Sequence, residues 1–137
     1  MNIRRTSIQK PGNRRGTAVV ELAICLPVMA LLIFASLEGA NMLFLRQAAV
    51  QSAYEAAKAA ARSNGSLQLG LQRAQQVLAA RNIDGSTITF TPANVDGLTA
   101  GTPFTVAVTV PGNARSITGI GPFNGMNIQT QATMAKE

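Results

Sequence analysis

The sequence predicts an α+β protein. A long N-terminal transmembrane helix continues into an amphipathic helix, followed by a second helix and a small three-stranded antiparallel sheet. Three observations predict it. Residues 17–45 are strongly apolar, with Glu21 and Glu38 as their only charges. Residues 46–64 are rich in Ala, the best helix former, with polar groups at helical spacing. After Asp84-Gly85 the apolar period falls from that of a helix to two.

Residues 1–16, MNIRRTSIQKPGNRRG, are basic, polar and broken by Pro11-Gly12. They hold nothing that could bury a core and read as a flexible leader. Residues 17–45 follow, and about 20 apolar residues span a bilayer as a helix. From Leu22 to Leu37 no residue is charged, and no polar stripe interrupts the run, as suits a helix surrounded by lipid. In residues 46–64, Gln47, Gln51, Glu55, Lys58 and Arg62 recur on one side and Val50, Tyr54, Ala57 and Ala61 on another. Asn64-Gly65 is expected to stop this helix, the Gly supplying a left-handed turn.

The remaining domain is residues 65–137. Ser66 can cap a second helix over roughly 66–82, with Leu67, Leu71, Ala74 and Leu78 on one face. Gly70 inside it costs about 1 kcal/mol against Ala. Ile88 and Phe90, then Phe104, Val106, Val108 and Val110, then Met126 and Ile128 onward to Ala135, alternate with Thr, Ala and Gln. Such runs between Pro- and Gly-bearing gaps read as strands with one apolar face. That face needs a cover, which the second helix and the Ala-rich end of the first would supply.

Composition narrows the function. The net charge is +6, but Arg4, Arg5, Lys10, Arg14 and Arg15 of the leader carry five of it. The other seven basic residues face six acidic ones, so the body is nearly neutral. A nucleic-acid binder spreads its positive charge over a folded face, so no nucleic-acid partner is expected. With no His and one Cys, a His-based catalytic dyad and an internal disulfide are excluded, and a zinc site is not expected. No catalytic residue, metal, cofactor or small-molecule substrate is assigned.

Charge also orients the chain. The basic flank belongs in the cytoplasm and the C-terminal domain across the membrane. A cleaved secretory signal, a permanent anchor and a buried core helix compete for the apolar stretch. The apolar region is longer than a signal's, and Glu38-Gly39-Ala40 is a poor cleavage window. A buried core helix of this length would need a larger domain around it.

Glu21 is an acid within the first turns of the apolar stretch, where such groups cost energy and usually have a partner. A basic leader, then Gly16, then an apolar run with Glu21 at its fifth position, resembles the processing site of type IV pilin-like proteins. That resemblance implies cleavage between Gly16 and Thr17 by a membrane-embedded prepilin peptidase, leaving a mature chain of 121 residues (137 − 16). The new amine on Thr17 would sit at a helix N-terminus, already partly positive. In the pilin class, as the resemblance implies, the glutamate neutralises the amine of a neighbouring subunit. At about 4 Å and an effective dielectric of 20 such a pair gains about 4 kcal/mol before desolvation.

Arg15-Gly16, Glu21, Leu26-Pro27, Glu38, the Ala-rich segment ending in Arg62, the Asn64-Gly65 stop and the closing QATMAKE together resemble the TadE-like family. These are minor pseudopilins of tight-adherence (Tad, type IVc) pili. Leu22 departs from the pattern, since the major Tad pilin typically has Tyr after the glutamate and TadE-like proteins often have Phe. This and the length argue against the major subunit. The resemblance implies a bacterial inner-membrane protein, single-pass and N-terminus inside, with incorporation into surface pili as a further fate. Its implied partners are the prepilin peptidase, other pilin subunits, the Tad assembly machinery and membrane lipid.

Other features have plainer readings. Pro27 removes the bond to Ala23 and is expected to kink the helix, a weak point for leaving the bilayer. Glu38 is either an interfacial acid or a contact to a partner subunit. Glu21, Glu38 and Glu55 are 17 residues apart, about 25 Å per step, and cannot form an acid/base pair. Cys25 is a small packing residue. Asp84-Gly85 and Asp96-Gly97 are turns, and Asn64-Gly65-Ser66 matches a glycosylation acceptor only formally. Thr118–Pro122 is a loop that would expose Ile120 and Phe123. The expected function is structural: a minor pilin that supports assembly of a Tad-type pilus. The alternatives are an uncleaved, membrane-anchored binding module and a small secreted enzyme, for which no catalytic constellation can be assembled.

Overall fold

In the computed structural model, residues 14–114 and 125–137 are described. Leader residues 1–13 and the loop bearing Ile120 and Phe123 lie outside them. The elements are α1 (Arg14–Ala61), α2 (Leu67–Ala79), β1 (Thr87–Thr91), β2 (Pro103–Pro111) and β3 (Asn127–Ala135). This is the α+β architecture expected. The chain divides into two compact units, Met1–Ala35 and Ser36–Glu137. The helix starts earlier than expected: Arg14, Arg15 and Gly16 already belong to its first turn. The first amides of a helix need no intrahelical partner, so the helix extends backwards at little cost.

The second unit is two layers, helices over an antiparallel sheet of order β1-β2-β3. Strand β2 pairs with β3 along nine positions, Pro103↔Ala135 to Pro111↔Asn127, and with β1 along five. Phe104, Val106, Val108 and Val110 of β2 are buried towards the helices, as the alternation required. Each such side chain contributes about 1.5–3 kcal/mol by burial. On the other face, Thr105 and Thr133, directly opposite, join their hydroxyls at 2.9 Å.

The helices cover the sheet through small residues. On α1 the buried face is Leu45, Ala48, Ala49, Ser52, Ala53, Ala56, Ala57 and Ala60. The expected stripe of Val50, Tyr54, Ala57 and Ala61 is therefore half wrong, because Val50 is 51 % and Tyr54 49 % exposed. Close approach of α2 selects alanine over bulk. Ser52 Oγ donates to the Ala74 carbonyl of α2 at 3.1 Å. Gly70, buried in α2, explains its own helix penalty: a Cβ there would lie 2.9 Å from Phe90 Cζ and 3.0 Å from the Ala56 oxygen.

Both helices end on tertiary contacts. Ser66 caps α2 as expected, its hydroxyl accepting from Leu69 N–H at 3.1 Å. Asp96, expected only as a turn residue, reaches back from the β1–β2 loop to accept from Leu67 N–H at 2.7 Å. Helix α2 stops at Ala79, short of 82, with Asn82 in the left-handed region at φ 53°. Helix α1 stops at Ala61 rather than Asn64, and Gly65 is not left-handed. Gly65 is required sterically, since a Cβ would stand 2.6 Å from the Ala60 oxygen.

The final carbonyls of α1 are satisfied from the end of β3. Lys136, 8 % exposed, donates from Nζ to the carbonyls of Ala60 at 2.9 Å, Arg62 at 3.1 Å and Gly65 at 2.8 Å. Glu137 N–H donates to the Ala61 carbonyl at 2.7 Å. A cation there also suits the negative end of the helix dipole. At the other end of β3, Ile128 and Gln129 share a groove with Gly39, Met42, Leu43 and Arg46. Strand β3 therefore runs alongside α1 in the same direction.

Two substitutions test this packing. Gly70→Ala, although it gains helix propensity, is expected to destabilise the detergent-solubilised chain by about 1–3 kcal/mol through overpacking against Phe90 and Ala56. Lys136→Met, which keeps the aliphatic stem, is expected to cost about 1–3 kcal/mol by stranding three carbonyls. Urea midpoints followed by circular dichroism measure both. An unchanged midpoint in either would remove the corresponding contact from the account.

Candidate functional site: the apolar N-terminal half of α1

From Gly16 to Leu37 every residue of α1 is exposed around its whole circumference. Val19, Val20, Leu22, Ile24, Leu26 and Leu31 are each 56–70 % exposed. These 22 residues measure about 33 Å along a helix, against about 30 Å of bilayer hydrocarbon. The helix is long and apolar enough to cross a membrane. Its greasiest stretch is not tucked into the chain's own core. From Glu38 onward α1 becomes one-sided, alternating buried and exposed positions with helical period.

The residues singled out in the sequence fall in three places on this helix. Gly16, Thr17 and Glu21 occupy adjacent turns near its start, with Glu21 about 6 Å along the axis from Thr17. A Cβ built on Gly16 would meet nothing within 4 Å. Glu21 is exposed, and among the described residues none forms a hydrogen bond or ion pair with it. Pro27 lies further on, within an α-helix that continues on both sides of it.

Glu38 is elsewhere, 17 residues and about 25 Å beyond Glu21. It is 5 % exposed, buried at the start of the second unit. Cys25 is exposed on the apolar segment. Among the described residues no group of three or more His, Cys, Asp or Glu could hold a metal ion.

Several residues that shape the second unit escaped the sequence reading. Asp96 was expected only as a turn residue and Lys136 drew no expectation, yet both cap helices. Arg81 looked unremarkable, yet it stacks over Phe44 at 5.5 Å and donates to Gln51 Oε1, tying the end of α2 to α1. Nothing local to Lys136 specifies partners 71–76 residues away.

Residues 16–58 match the family model described as TadE-like protein. That segment is α1 without its first two and last three residues. No curated protein and no solved structure matches the chain.

The exposed apolar segment makes a direct expectation about extraction. The full chain should remain in the membrane pellet at alkaline pH in carbonate, whereas a chain beginning at Ser36 should partition into the supernatant. Release of the full chain by carbonate would remove the membrane-spanning reading.

Proposed function

We propose that this chain, TadE-like over residues 16–58, is a structural minor pseudopilin associated with a Tad-type pilus. It is held in the bacterial cytoplasmic membrane by α1, with residues before Gly16 inside and the second unit outside. A prepilin peptidase cuts between Gly16 and Thr17. Its partners are that peptidase, other pilin subunits and the Tad assembly machinery. It carries out no catalysis itself.

The observation that carries this reading is the combination at the head of α1. An open glycine, an unsatisfied exposed acid one turn beyond the cut, and an apolar rod follow one another in 22 residues. Cleavage removes Arg14–Gly16 from the helix and starts the new chain at Thr17. The freed N-terminal amides and the new ammonium concentrate positive charge there. Glu21 on a neighbouring rod then supplies the complement. Apolar packing between rods is non-directional, so one ion pair of about 4 kcal/mol before desolvation is enough to select their axial register.

N-terminal sequencing of the protein from membranes and from sheared fibres tests the reading. A chain beginning at Thr17 supports it. A chain retaining Met1 in a peptidase-positive host favours the uncleaved anchored module instead. Gly16→Leu should retain the leader, visible as an unprocessed mass. Glu21→Ala should be cut normally yet be depleted from fibres at least about tenfold, which corresponds to ~1.4 kcal/mol of lost pairing. Wild-type levels of Glu21→Ala in fibres would sink the pairing.

A further inference from the structure

The charge of the second unit is unevenly placed. From Ser36 to Glu137 the sequence carries seven basic and five acidic residues. Three of the basic ones, Lys58, Arg62 and Arg73, line one groove between α1 and α2 together with a single acid, Glu55. The other four basic residues (7 − 3) are balanced by the other four acids (5 − 1). The whole positive excess of this unit therefore belongs to one groove of about 200 Å3. Ala59 and Leu69 complete its wall, and Leu69 is 37 % exposed.

The unit's own packing does not account for these cations. Lys58 lies in the last turn of α1 and Arg62 just past its end, and like charges sharing one groove repel. Cations suit the negative end of a helix dipole, but Lys136 already donates to three carbonyls at that end. Among the described residues the side chains of Glu55, Lys58 and Arg62 form no hydrogen bond or ion pair. Arg73 donates only to the neutral Gln76, at 3.3 Å. The groove is also held in shape without a ligand. Ser52 bonds the Ala74 carbonyl, and Gly70 admits the close approach of α2 to Ala56, so its two walls are fixed in advance. A site preorganised in this way loses little entropy on binding.

We propose that the groove lined by Lys58, Arg62 and Arg73 docks an acidic segment of a different polypeptide, one with two carboxylates close in sequence and a small apolar side chain between them. The carboxylates meet the planar forks of Arg62 and Arg73 and the ammonium of Lys58. The apolar group covers Leu69 beside Ala59. Such complementarity speeds encounter and fixes the register of the partner. A polyphosphate or an anionic bilayer is a poorer match. Those ligands engage cations spread along a face, and outside the groove this unit has no excess of them. Glu55 in the wall also repels a closely spaced polyanion, whereas it can accept a bond from a peptide N–H. A second copy of this chain cannot supply the segment. No two of its acids lie closer than Asp84 and Asp96, 12 positions apart (96 − 84). The inference does not depend on whether Gly16–Thr17 is cut.

Carbodiimide, which joins an amine to a carboxylate in contact with it, tests the site on the full chain in native membranes. Lys58 is the amine of the groove. The expected product, located by mass spectrometry, is an amide between Lys58 and an Asp or Glu of a different polypeptide. That segment should carry a second acid within about four positions, the reach of neighbouring side chains on a helix or strand. A fluorescent peptide centred on Glu-Ala-Glu should bind the detergent-purified full chain, and its Gln-Ala-Gln counterpart should not. Arg62→Gln with Arg73→Gln should abolish the cross-link and weaken the peptide at least about tenfold, with the urea midpoint unchanged. Arg62→Glu with Arg73→Glu should instead favour a Lys-Ala-Lys peptide. Absence of a Lys58 cross-link, cross-links only to Glu55 or to a second copy, or equal peptide binding by the glutamine variant would each overturn the proposal. So would inorganic polyphosphate or phosphatidylglycerol vesicles binding through Arg62 and Arg73 while the peptide does not. A lowered urea midpoint in the glutamine variant would make these arginines structural and overturn it too.

Discussion

Everything in this chain depends on one helix meeting two different environments without a break. Up to Leu37, α1 has no polar side to turn towards water, and none of the described residues buries it. From Glu38 it has a face, and that face is alanine. The change is made by composition alone, because the backbone repeats the same 1.5 Å rise throughout. Branched and aromatic side chains suit the first part, where area in contact with lipid stabilises. Small ones suit the second, where a neighbouring helix approaches so closely that a Cβ on Gly70 would lie 3.0 Å from the Ala56 oxygen.

That choice has consequences for the rest of the second unit. A helix face of alanines buries little area per residue, so bulk must come from elsewhere. It comes from the sheet, where Phe90, Phe104, Val106, Val108 and Val110 point at the helices, and from Leu78 and Ile83 at the end of α2. Directional bonds then fix the layers in place. Ser52 holds α2, Asp96 caps it from a loop, and Lys136 closes the end of α1. Each of these polar groups serves a helix terminus or a helix carbonyl, where orphaned backbone groups are most costly to leave unmade.

The elements were legible because each follows from a local period. An unbroken apolar run, a helical repeat and a period of two gave the helices, the strands and the antiparallel sheet in order. Ser66 was legible as a cap because its partner, Leu69, is three residues away. What was not legible is long-range. Lys136 finds carbonyls more than seventy positions back, and Asp96 an amide 29 positions back. The choice of Ala over Val50 and Tyr54 for the buried face depends on how near α2 comes, which no period encodes. Gly16, Thr17 and Glu21 fall within two turns of α1, so a purely local pattern is enough to single them out as candidates. The burial of Glu38 was not legible, because its sequence neighbourhood reads as a membrane boundary.

Strand β3 shows how the same fold can be closed at one end and open at the other. At Lys136 and Glu137 four donor contacts bind it to the end of α1, and backbone and side chain are both satisfied. Twenty-odd ångströms back along the strand, at Ile128, the facing helix residue is a glycine with empty space above it. Had the chain only needed to fold, a larger residue at 39 would have strengthened α1 and filled the groove in one step. A sealed C-terminal end keeps β3 in register with β2 along all nine of its positions.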